Sequence, residues 1–437
     1  MIATNFDAII VGAGPAGSSA AILLARAGWL VALVEKQSFP RRKVCGECIA
    51  ASNLPLLDAL GVGAAFAASA GSELRQFALM QGEHSIKAAL PAAAHYRHAW
   101  GKALGRETLD TLLLDQARAT GVVVLQPWSV QEISGVAGDH RCDIRAVGSD
   151  EKRTLHAPIL IAANGSWEAL PSARSARRLA RKPSDLFAFK ANFQDTALEE
   201  GVLPVLSFNG GYGGMVLADQ GLGTLAFCIR ADQLEICRRE SPGLSAGEAV
   251  EAYLKRECHG VAAALASAQR VGAWMASGPI DPGIRLNKDD TLFRIGNAAG
   301  EAHPIIGEGM SMAMQSAWLL CAQLLQSAPP LGRLSDTGWQ RSVQHRYAAE
   351  WRRHFAPRLR LAAAFAHVAM RPDLASPLLA VVRRWPALLT QGARWGGKIK
   401  CAASPATIAW LASGADTGRS FAGPVSYFAC STNFETP

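Results

Sequence analysis

Apolar positions near the start of the chain fall into a short repeated pattern. Residues 8–11 form an apolar run that ends in a glycine-rich turn, which is typical of a buried parallel strand. The Ala- and Leu-rich residues 18–27 predict a helix that ends at Gly28. Residues 30–34 predict a second buried strand, which an acidic residue follows. The first part of the chain is therefore predicted to be a strand–helix–strand unit.

The remaining pattern alternates between helical and strand periods. Apolar spacing predicts helices at 49–60, 106–120, 245–266, 309–325 and over most of 332–400. Strands are predicted at 74–90, 122–125, 155–163 and 292–296 and within 186–228. The last 35 or so residues carry little pattern. The chain is thus expected to have an α/β (α+β) fold with a β-rich middle and a helical C-terminal region.

Composition limits the class of protein. The chain has 437 residues, 49% of them hydrophobic, which predicts a large core divided among two or three lobes. No uninterrupted apolar segment reaches the roughly 18 residues of a membrane span, and the N-terminus lacks the basic region of a signal peptide. Nine scattered cysteines suit a reduced protein, so we predict a cytoplasmic location.

The positive charge is concentrated towards the C-terminus. The net charge is +8, and residues 341–400 contain twelve Lys and Arg against two acids, Glu350 and Asp373. Such a segment suits an acidic protein partner or a membrane surface, although a solvated helical face explains it equally well. The segment has no nucleic-acid motif and no base-stacking pattern, so a nucleic-acid partner is not expected.

The first glycine-rich turn has the spacing of a dinucleotide-binding site. Gly12 permits the tight turn, Gly14 allows the backbone to approach a pyrophosphate, and Gly17 lets the helix pack close to the strand. The helix N-terminus then offers free N–H groups to the phosphates. Glu35 follows the second strand, where a carboxylate can bind ribose hydroxyls. Further predicted contacts are Pro15, Ala16 and Lys36.

A second glycine-rich segment follows the strand at 292–296. A proline turn leads from it into a helix that begins at Gly309, and the N-terminus of that helix can face a ligand, although an ordinary helix start has the same pattern. Together the two segments resemble the FAD-binding signature of the para-hydroxybenzoate hydroxylase-like flavoproteins. The resemblance implies that FAD is the dinucleotide and that Asn297, where the family usually has Asp, binds the ribitol chain.

The same resemblance implies a wider set of FAD contacts. Asn164-Gly165 stands where the family often has Asp-Gly after a central strand, and Arg106 opens a helix near the cofactor. Because no second dinucleotide-binding unit is present, NADH or NADPH is expected to bind only transiently as the reductant. The remaining predicted contacts are Arg42, Cys45, Gly296, Gly307, Gly309 and Met310.

Segments 39–47, 185–193 and 210–216 resemble the geranylgeranyl reductase-related branch, and within it the FAD-dependent monooxygenases. That branch includes enzymes of type III polyketide pathways and of tryptophylquinone biogenesis in quinohemoprotein amine dehydrogenase. The resemblance covers roughly residues 1–400. It implies a Rossmann-like FAD-binding domain built from 1–75, 100–175 and 276–335, a β-rich substrate domain from 76–99 and 176–275, and a mainly helical region at 336–437.

The implied activity is hydroxylation of an electron-rich aromatic group through a flavin C4a-hydroperoxide. The group is a peptidyl tryptophan or a polyketide phenol, so the partner is a small aromatic molecule or an acidic protein. A base near the substrate would withdraw its proton, and the candidates are Glu47, His303 and Glu308. Lys190 and Tyr212, on strands of the substrate domain, are candidate substrate contacts. Glu47 and His303 have structural alternatives, as a helix cap and as a brace for the proline turn. Lys190 and Tyr212 could instead be half-buried strand residues with exposed tips.

The same motifs are compatible with other functions. A reductase of a prenyl double bond is the main alternative, and a flavoprotein that only escorts a partner is another. Halogenation is disfavoured because the Trp-x-Trp motif of flavin halogenases is absent. Cys45 and Cys48 form a Cys-x-x-Cys pair, but no second pair follows at the spacing of a zinc site, so no metal is expected.

Overall fold

A computed structural model describes residues 4–93, 97–166, 170, 182–286, 291–329 and 333–414. The predictions for residues 415–437 and for the domain boundary near residue 175 lie outside the described residues.

The strands, in chain order, are β1 (Ala8–Val11), β2 (Val31–Val34), β3 (Cys48–Ile49), β4 (Gln76–Gln81), β5 (His84–Ala89), β6 (Lys102–Ala103), β7 (Val123–Leu125), β8 (Trp128–Val136), β9 (Asp139–Ala146), β10 (Lys152–Ala157), β11 (Ile159–Ala162), β12 (Leu186–Gln194), β13 (Val202–Phe208), β14 (Gly211–Ala218), β15 (Leu222–Arg230), β16 (Gln269–Ile280), β17 (Gly283–Ile284), β18 (Phe293–Arg294) and β19 (Gly300–Glu301). The α-helices are α1 (Pro15–Arg26), α2 (Leu54–Leu60), α3 (Gly63–Ser69), α4 (Arg106–Ala119), α5 (Ala231–Glu240), α6 (Ala246–Glu257), α7 (His259–Ala264), α8 (Gly309–Gln326), α9 (Thr337–Ala369), α10 (Pro372–Arg384), α11 (Ala387–Gly396) and α12 (Pro405–Ala412).

A five-stranded parallel sheet has the order β18-β11-β1-β2-β7. Strands β1, β2 and β11 are buried along their whole length, as the apolar runs predict. Helices α1, α4 and α8 pack against this sheet and share its core. The parallel sheet, built from separated segments of the chain, confirms the expected fold class.

A larger sheet of seven strands has the order β16-β12-β15-β14-β13-β4-β5. All neighbours in it are antiparallel except β13 and β4. Alternate side chains of β12 face opposite sides: Phe189 and Phe193 join a core with Tyr253 and Leu254 of α6. Lys190 therefore points to the other side of the sheet.

The sequence pattern missed a third, antiparallel sheet of β8, β9 and β10. The single strand predicted at 155–163 is two strands, β10 in this sheet and β11 in the parallel sheet. Pro158 lies between them, and a proline has no N–H with which to continue a strand ladder. The chain changes sheets at this residue.

The C-terminal region is helical, as expected. Asp336 caps α9 by accepting hydrogen bonds from the backbone N–H groups of Gly338 and Trp339. Helix α11 reaches the edge of the seven-stranded sheet, where the Thr390 hydroxyl donates to the Ala89 carbonyl oxygen over 2.7 Å. Within the described ranges, no helix combines the length and apolar character needed to cross a bilayer.

Candidate functional site

A large cavity lies where the two main sheets meet the C-terminal helices. Its volume is about 1020 Å³, at the upper end of the range for small-molecule and cofactor sites. Both glycine-rich segments line it, together with strands β13–β15 and helices α9–α11. The cavity therefore brings together parts of the chain that are far apart in sequence.

The first glycine-rich turn borders one end of the cavity. Gly12 has a φ of +103°, and a Cβ at Gly17 would lie 1.8 Å from the Gly12 carbonyl oxygen, so neither position accepts a side chain without a shift. Gly14 differs, because the atoms nearest to a Cβ there are guanidinium nitrogens of Arg106 at 3.6 Å and Arg41 at 3.9 Å. Two cations and the N-terminus of α1 thus face the open space beside Gly14, an arrangement suited to a diphosphate.

Glu35, at the end of β2, is held in one orientation. Its two carboxylate oxygens accept hydrogen bonds from the backbone N–H groups of Ala13 and Gln37, each over 2.9 Å. Only 6% of the residue is exposed, and it lines the cavity. A fixed carboxylate at this position is suited to binding ribose hydroxyls. Pro15, Ala16 and Lys36 line the cavity beside it.

Two arginines share the buried carboxylate of Asp110. Arg106 donates two hydrogen bonds to it, each over 2.7 Å, and an Arg41 nitrogen lies 3.5 Å from it. Burial alone would lower the pKa of Arg106, but the charge of Asp110 and its hydrogen bonds raise that pKa above its usual value. Arg106 lines the cavity, and its contact with FAD stays a prediction.

Arg42 requires a correction. It is exposed and pairs with Glu107 over 3.3 Å, and it does not line the cavity, whereas its neighbours Arg41 and Lys43 do. The segment between β2 and β3 has no regular repeat, so the sequence offered no means of choosing between adjacent cations. Arg41, and not Arg42, borders the cavity beside Gly14.

The second glycine-rich segment lines the opposite part of the cavity. The Asn297 side-chain amide donates to the Ser166 hydroxyl over 2.7 Å, and that hydroxyl donates to Glu301 over 2.8 Å. Arg285 donates to Glu301 over 2.9 Å and so completes a polar network. Asn297 is therefore oriented at the cavity wall. Other predicted contacts that line the cavity are Cys45, Asn164, Gly296, Gly307, Gly309 and Met310.

Helix α8 begins at this wall. Gly307 has a φ of +59°, which favours glycine, and a Cβ at Gly309 would meet nothing within 4 Å. The first N–H groups of α8 have no partner within the helix, so this end carries the positive pole of the helix dipole. The cavity thus has a helix N-terminus at each of its two glycine-rich walls.

Glu47 is part of a buried network. It adopts the left-handed conformation, with a φ of +59°, and is 2% exposed. Its carboxylate is paired with Lys190 and accepts hydrogen bonds from the Arg106 backbone N–H over 3.2 Å and the Thr224 hydroxyl over 2.6 Å. Glu47 lines the cavity with its charge already balanced and caps the N-terminus of α4.

Lys190 is placed differently from the substrate contact that the sequence predicted. It is 3% exposed, does not line the cavity and pairs with Glu47. The strand pattern identified it as a polar residue on a sheet, but its partner is 143 residues away and could not be found from local spacing.

Glu308 is completely buried at the N-terminus of α8. An oxygen of its carboxylate lies 3.2 Å from the Lys398 ammonium, which also donates to the Gly307 carbonyl oxygen over 3.3 Å. Lys398 and Gly307 line the cavity, whereas Glu308 does not. Lys398 is a site residue that the sequence analysis missed, because it lies in the turn after α11.

His303 and Tyr212, predicted separately, are in contact. The Tyr212 hydroxyl lies 3.1 Å from His303 Nδ1, and the two rings meet edge to face. Burial lowers the pKa of His303 and raises the pKa of Tyr212 well above its usual value, so both are neutral near pH 7. Tyr212 lines the cavity and His303 lies behind it.

The Cys45/Cys48 pair shows no ligand arrangement. Cys45 lines the cavity, whereas burial raises the pKa of Cys48 to about 12 and keeps it a thiol. Among the described residues, no group of three or more His, Cys, Asp or Glu side chains is arranged to hold a metal ion.

Sequence comparison finds similar proteins of several activities. The chain is 27% identical over 348 residues to conditioned medium factor receptor 1 of Dictyostelium discoideum, covering 74% of this chain and 64% of that protein. It is 29% identical over 167 residues to a menaquinone reductase of Mycolicibacterium smegmatis, covering 38% and 39% of the two chains. It is 27% identical over 335 residues to a tryptophan 2-halogenase of Chondromyces crocatus, covering 72% and 60%. The chain spans less than two thirds of the length of each.

Solved structures share the fold. The flavin-dependent brominase Bmp2 aligns over 93% of this chain and 97% of its own, with a TM-score of 0.70 and 16% identity. A probable FAD-dependent monooxygenase of Pseudomonas aeruginosa, pqsL, aligns over 86% and 99%, with a TM-score of 0.61 and 17% identity. The family described as FAD binding domain matches residues 5–329, which include both glycine-rich walls of the cavity. The chain therefore belongs to the FAD-binding domain family of flavoproteins.

Proposed function

We propose that this chain is a flavin-dependent monooxygenase that hydroxylates an electron-rich aromatic group, with NADH or NADPH as a transient reductant. The observation that carries this proposal is the continuity of the cavity. Its polar, glycine-rich end opens directly into an apolar pocket beneath the seven-stranded sheet. The apolar pocket is lined by Phe77, Leu79, Ala188, Leu203 and Val205.

The cavity residues fit FAD. Gly12, Gly14 and the guanidinium groups of Arg41 and Arg106 would hold the diphosphate, and Glu35 the ribose. At the other wall, Asn297 would bind the ribitol chain, with Gly307, Gly309 and Met310 beside the flavin ring. FAD bound there would pass two electrons from the nicotinamide to oxygen, one atom of which enters the substrate while the other leaves as water.

The surrounding residues exclude water and move a proton. The apolar pocket keeps water from the aromatic ring and fixes its orientation. The Tyr212 hydroxyl can accept a proton from a substrate O–H or N–H while passing its own proton to His303 Nδ1, because both groups start neutral. Glu47 and Glu308 are positioning residues in this account, since Lys190 and Lys398 balance their charges.

Two substrate classes suit the pocket, a polyketide-type phenol and a peptidyl tryptophan. The apolar lining of the pocket is suited to an aromatic ring, and both substrate classes contain one. The second candidate activity is reduction of a prenyl double bond, and the similarity to a menaquinone reductase supports a reductase activity. A third is halogenation, which the tryptophan 2-halogenase similarity supports and the absence of a Trp-x-Trp motif disfavours.

The test is the mass of the product. Purified, FAD-loaded protein is incubated with NADH or NADPH and candidate phenols, indoles and prenyl quinones, with oxygen and without it, and with halide in a parallel set. We expect a gain of one oxygen atom that requires oxygen. A gain of two hydrogens without oxygen would replace the proposal with the reductase, and incorporation of halide would replace it with the halogenase.

A further inference from the structure

The C-terminal helices carry an unusual concentration of exposed apolar side chains. Among the described residues, thirteen large apolar side chains are exposed, and six of these lie between residues 374 and 395. They are Leu374, Leu378, Val381, Trp385, Leu388 and Trp395. The two tryptophans are each 56% exposed, and Leu388 is 50% exposed. Isolated exposed apolar residues are ordinary, but a cluster of this size marks an interaction surface.

Four of these six residues follow helical spacing, and the six together are here named the apolar face. Leu374, Leu378, Val381 and Trp385 are separated by four, three and four positions, which places them on one side of α10. Ala375 and Leu379 are buried on the inner side of the same helix. Helix α10 therefore carries apolar side chains on its exposed side as well as on the side that faces the core.

Cations surround the apolar face. Residues 371–400 contain six Lys and Arg, and one acid, Asp373. Arg383, Arg384 and Arg394 are exposed, and the Arg384 guanidinium lies 5.9 Å from the ring centre of Trp385. A helix that lies in the interface of an anionic membrane typically carries apolar and tryptophan side chains bordered by arginines.

The apolar face is also the rim of the cavity. Leu378, Val381 and Leu388 are exposed to solvent and at the same time line the cavity. Leu379 and Leu389 continue the apolar lining inwards. An apolar path thus leads from the surface of α10 and α11 into the pocket beneath the seven-stranded sheet.

We propose that the apolar face docks on the surface of an anionic lipid bilayer, so that the cavity opens towards the membrane. Charge complementarity favours this occupant, because the cations would meet anionic headgroups while the tryptophans and leucines enter the headgroup–acyl boundary. A soluble acidic protein would satisfy the arginines but leave the apolar side chains without a matching partner. The docking does not depend on the proposed redox chemistry.

The test is binding of the full-length, FAD-loaded chain to lipid vesicles, followed by flotation. Vesicles of phosphatidylcholine with about one third phosphatidylglycerol are compared with pure phosphatidylcholine. We expect binding to the anionic vesicles that weakens between about 0.05 M and about 0.5 M salt. W385S/W395S should lower the partition coefficient at least about tenfold. R383Q/R384Q, which removes the two charges, should lower it roughly 25-fold, about fivefold for each arginine.

A matched control is I236S/L244S, which removes two comparably exposed apolar side chains of another surface and should bind like the wild type. Thermal melting and FAD content report whether each variant is folded. The proposal is overturned if the wild type does not float with anionic vesicles, or if W385S/W395S binds as well as the wild type. A dimer that W385S/W395S disperses, without vesicle binding, would assign the apolar face to a second copy of the chain instead.

Discussion

Replacing Lys190 by methionine tests the buried ion pair that joins the two main parts of the fold. Lys190 lies on β12 of the seven-stranded sheet, and Glu47 lies in the segment before β3 beside the first glycine-rich turn. The two residues are 3% and 2% exposed. Lys190→Met keeps the apolar stem and removes the charge, so the Glu47 carboxylate stays buried without a counter-charge.

Removing one partner of a buried pair costs about 3–5 kcal/mol. Glu47 would keep the hydrogen bonds from the Arg106 backbone N–H and the Thr224 hydroxyl, so we expect the lower end, about 3 kcal/mol, for Lys190→Met. Glu47→Gln leaves the buried ammonium facing an amide and should cost about as much. The double variant removes both charges, and we expect a coupling energy of about 2 kcal/mol or more.

The free energy of unfolding of the four proteins is measured by urea denaturation, with circular dichroism and tryptophan fluorescence as independent probes. Coincident transitions are required before the four values are combined. Single variants that each lose less than about 1 kcal/mol, or a double variant that loses the sum of the two, would refute the reasoning. Either result would mean that the two charges are not paired in a low-dielectric interior.

Three further variants test other parts of the account. Tyr212→Phe should slow hydroxylation about 100-fold in single-turnover experiments with FAD content unchanged, and an unchanged rate would contradict the proton-transfer role. Gly17→Ala should lose folded protein, because its Cβ would lie 1.8 Å from the Gly12 carbonyl oxygen; a wild-type melting temperature would contradict this. Burial lowers the pKa of His354 to about 4, so it stays neutral in the fold while the unfolded chain takes up a proton below about pH 6.5. Lowering the pH from about 7.5 to about 5 should therefore cost the wild type about 2 kcal/mol of unfolding free energy that His354→Gln does not lose, and equal losses would contradict the sign.

The sequence predicts well those elements whose structure depends on residues close by in the chain. The parallel strands β1 and β2, the turn at Gly12 and the helix that follows depend on neighbours within about thirty residues, as expected for a βαβ unit. The position of Glu35 follows from the same unit. The start of α8 at Gly309 was also predictable, because small residues and a proline turn precede it.

Long-range pairing explains what the sequence analysis missed. Whether Lys190 faces substrate or Glu47 depends on how two sheets meet, and no local spacing encodes that. Lys398 reaches Glu308 from the C-terminal helices across 90 positions of sequence. The choice between Arg41 and Arg42 depends on an irregular segment, in which side-chain direction has no period. The chain passes from the antiparallel to the parallel sheet at Pro158, between β10 and β11.

The most direct test of the central claim is the FAD content of wild-type protein and Gly14→Val. A Cβ at Gly14 has no neighbour closer than 3.6 Å, so the variant should fold with a melting temperature, in the cofactor-free state, close to that of the wild type. Its added methyl groups would occupy the space in front of Arg41 and Arg106, where the diphosphate is proposed to lie. We predict that the wild type binds FAD stoichiometrically and that Gly14→Val loses most of it. A wild type that takes up no FAD, or a folded Gly14→Val that binds as much as the wild type, would contradict the account.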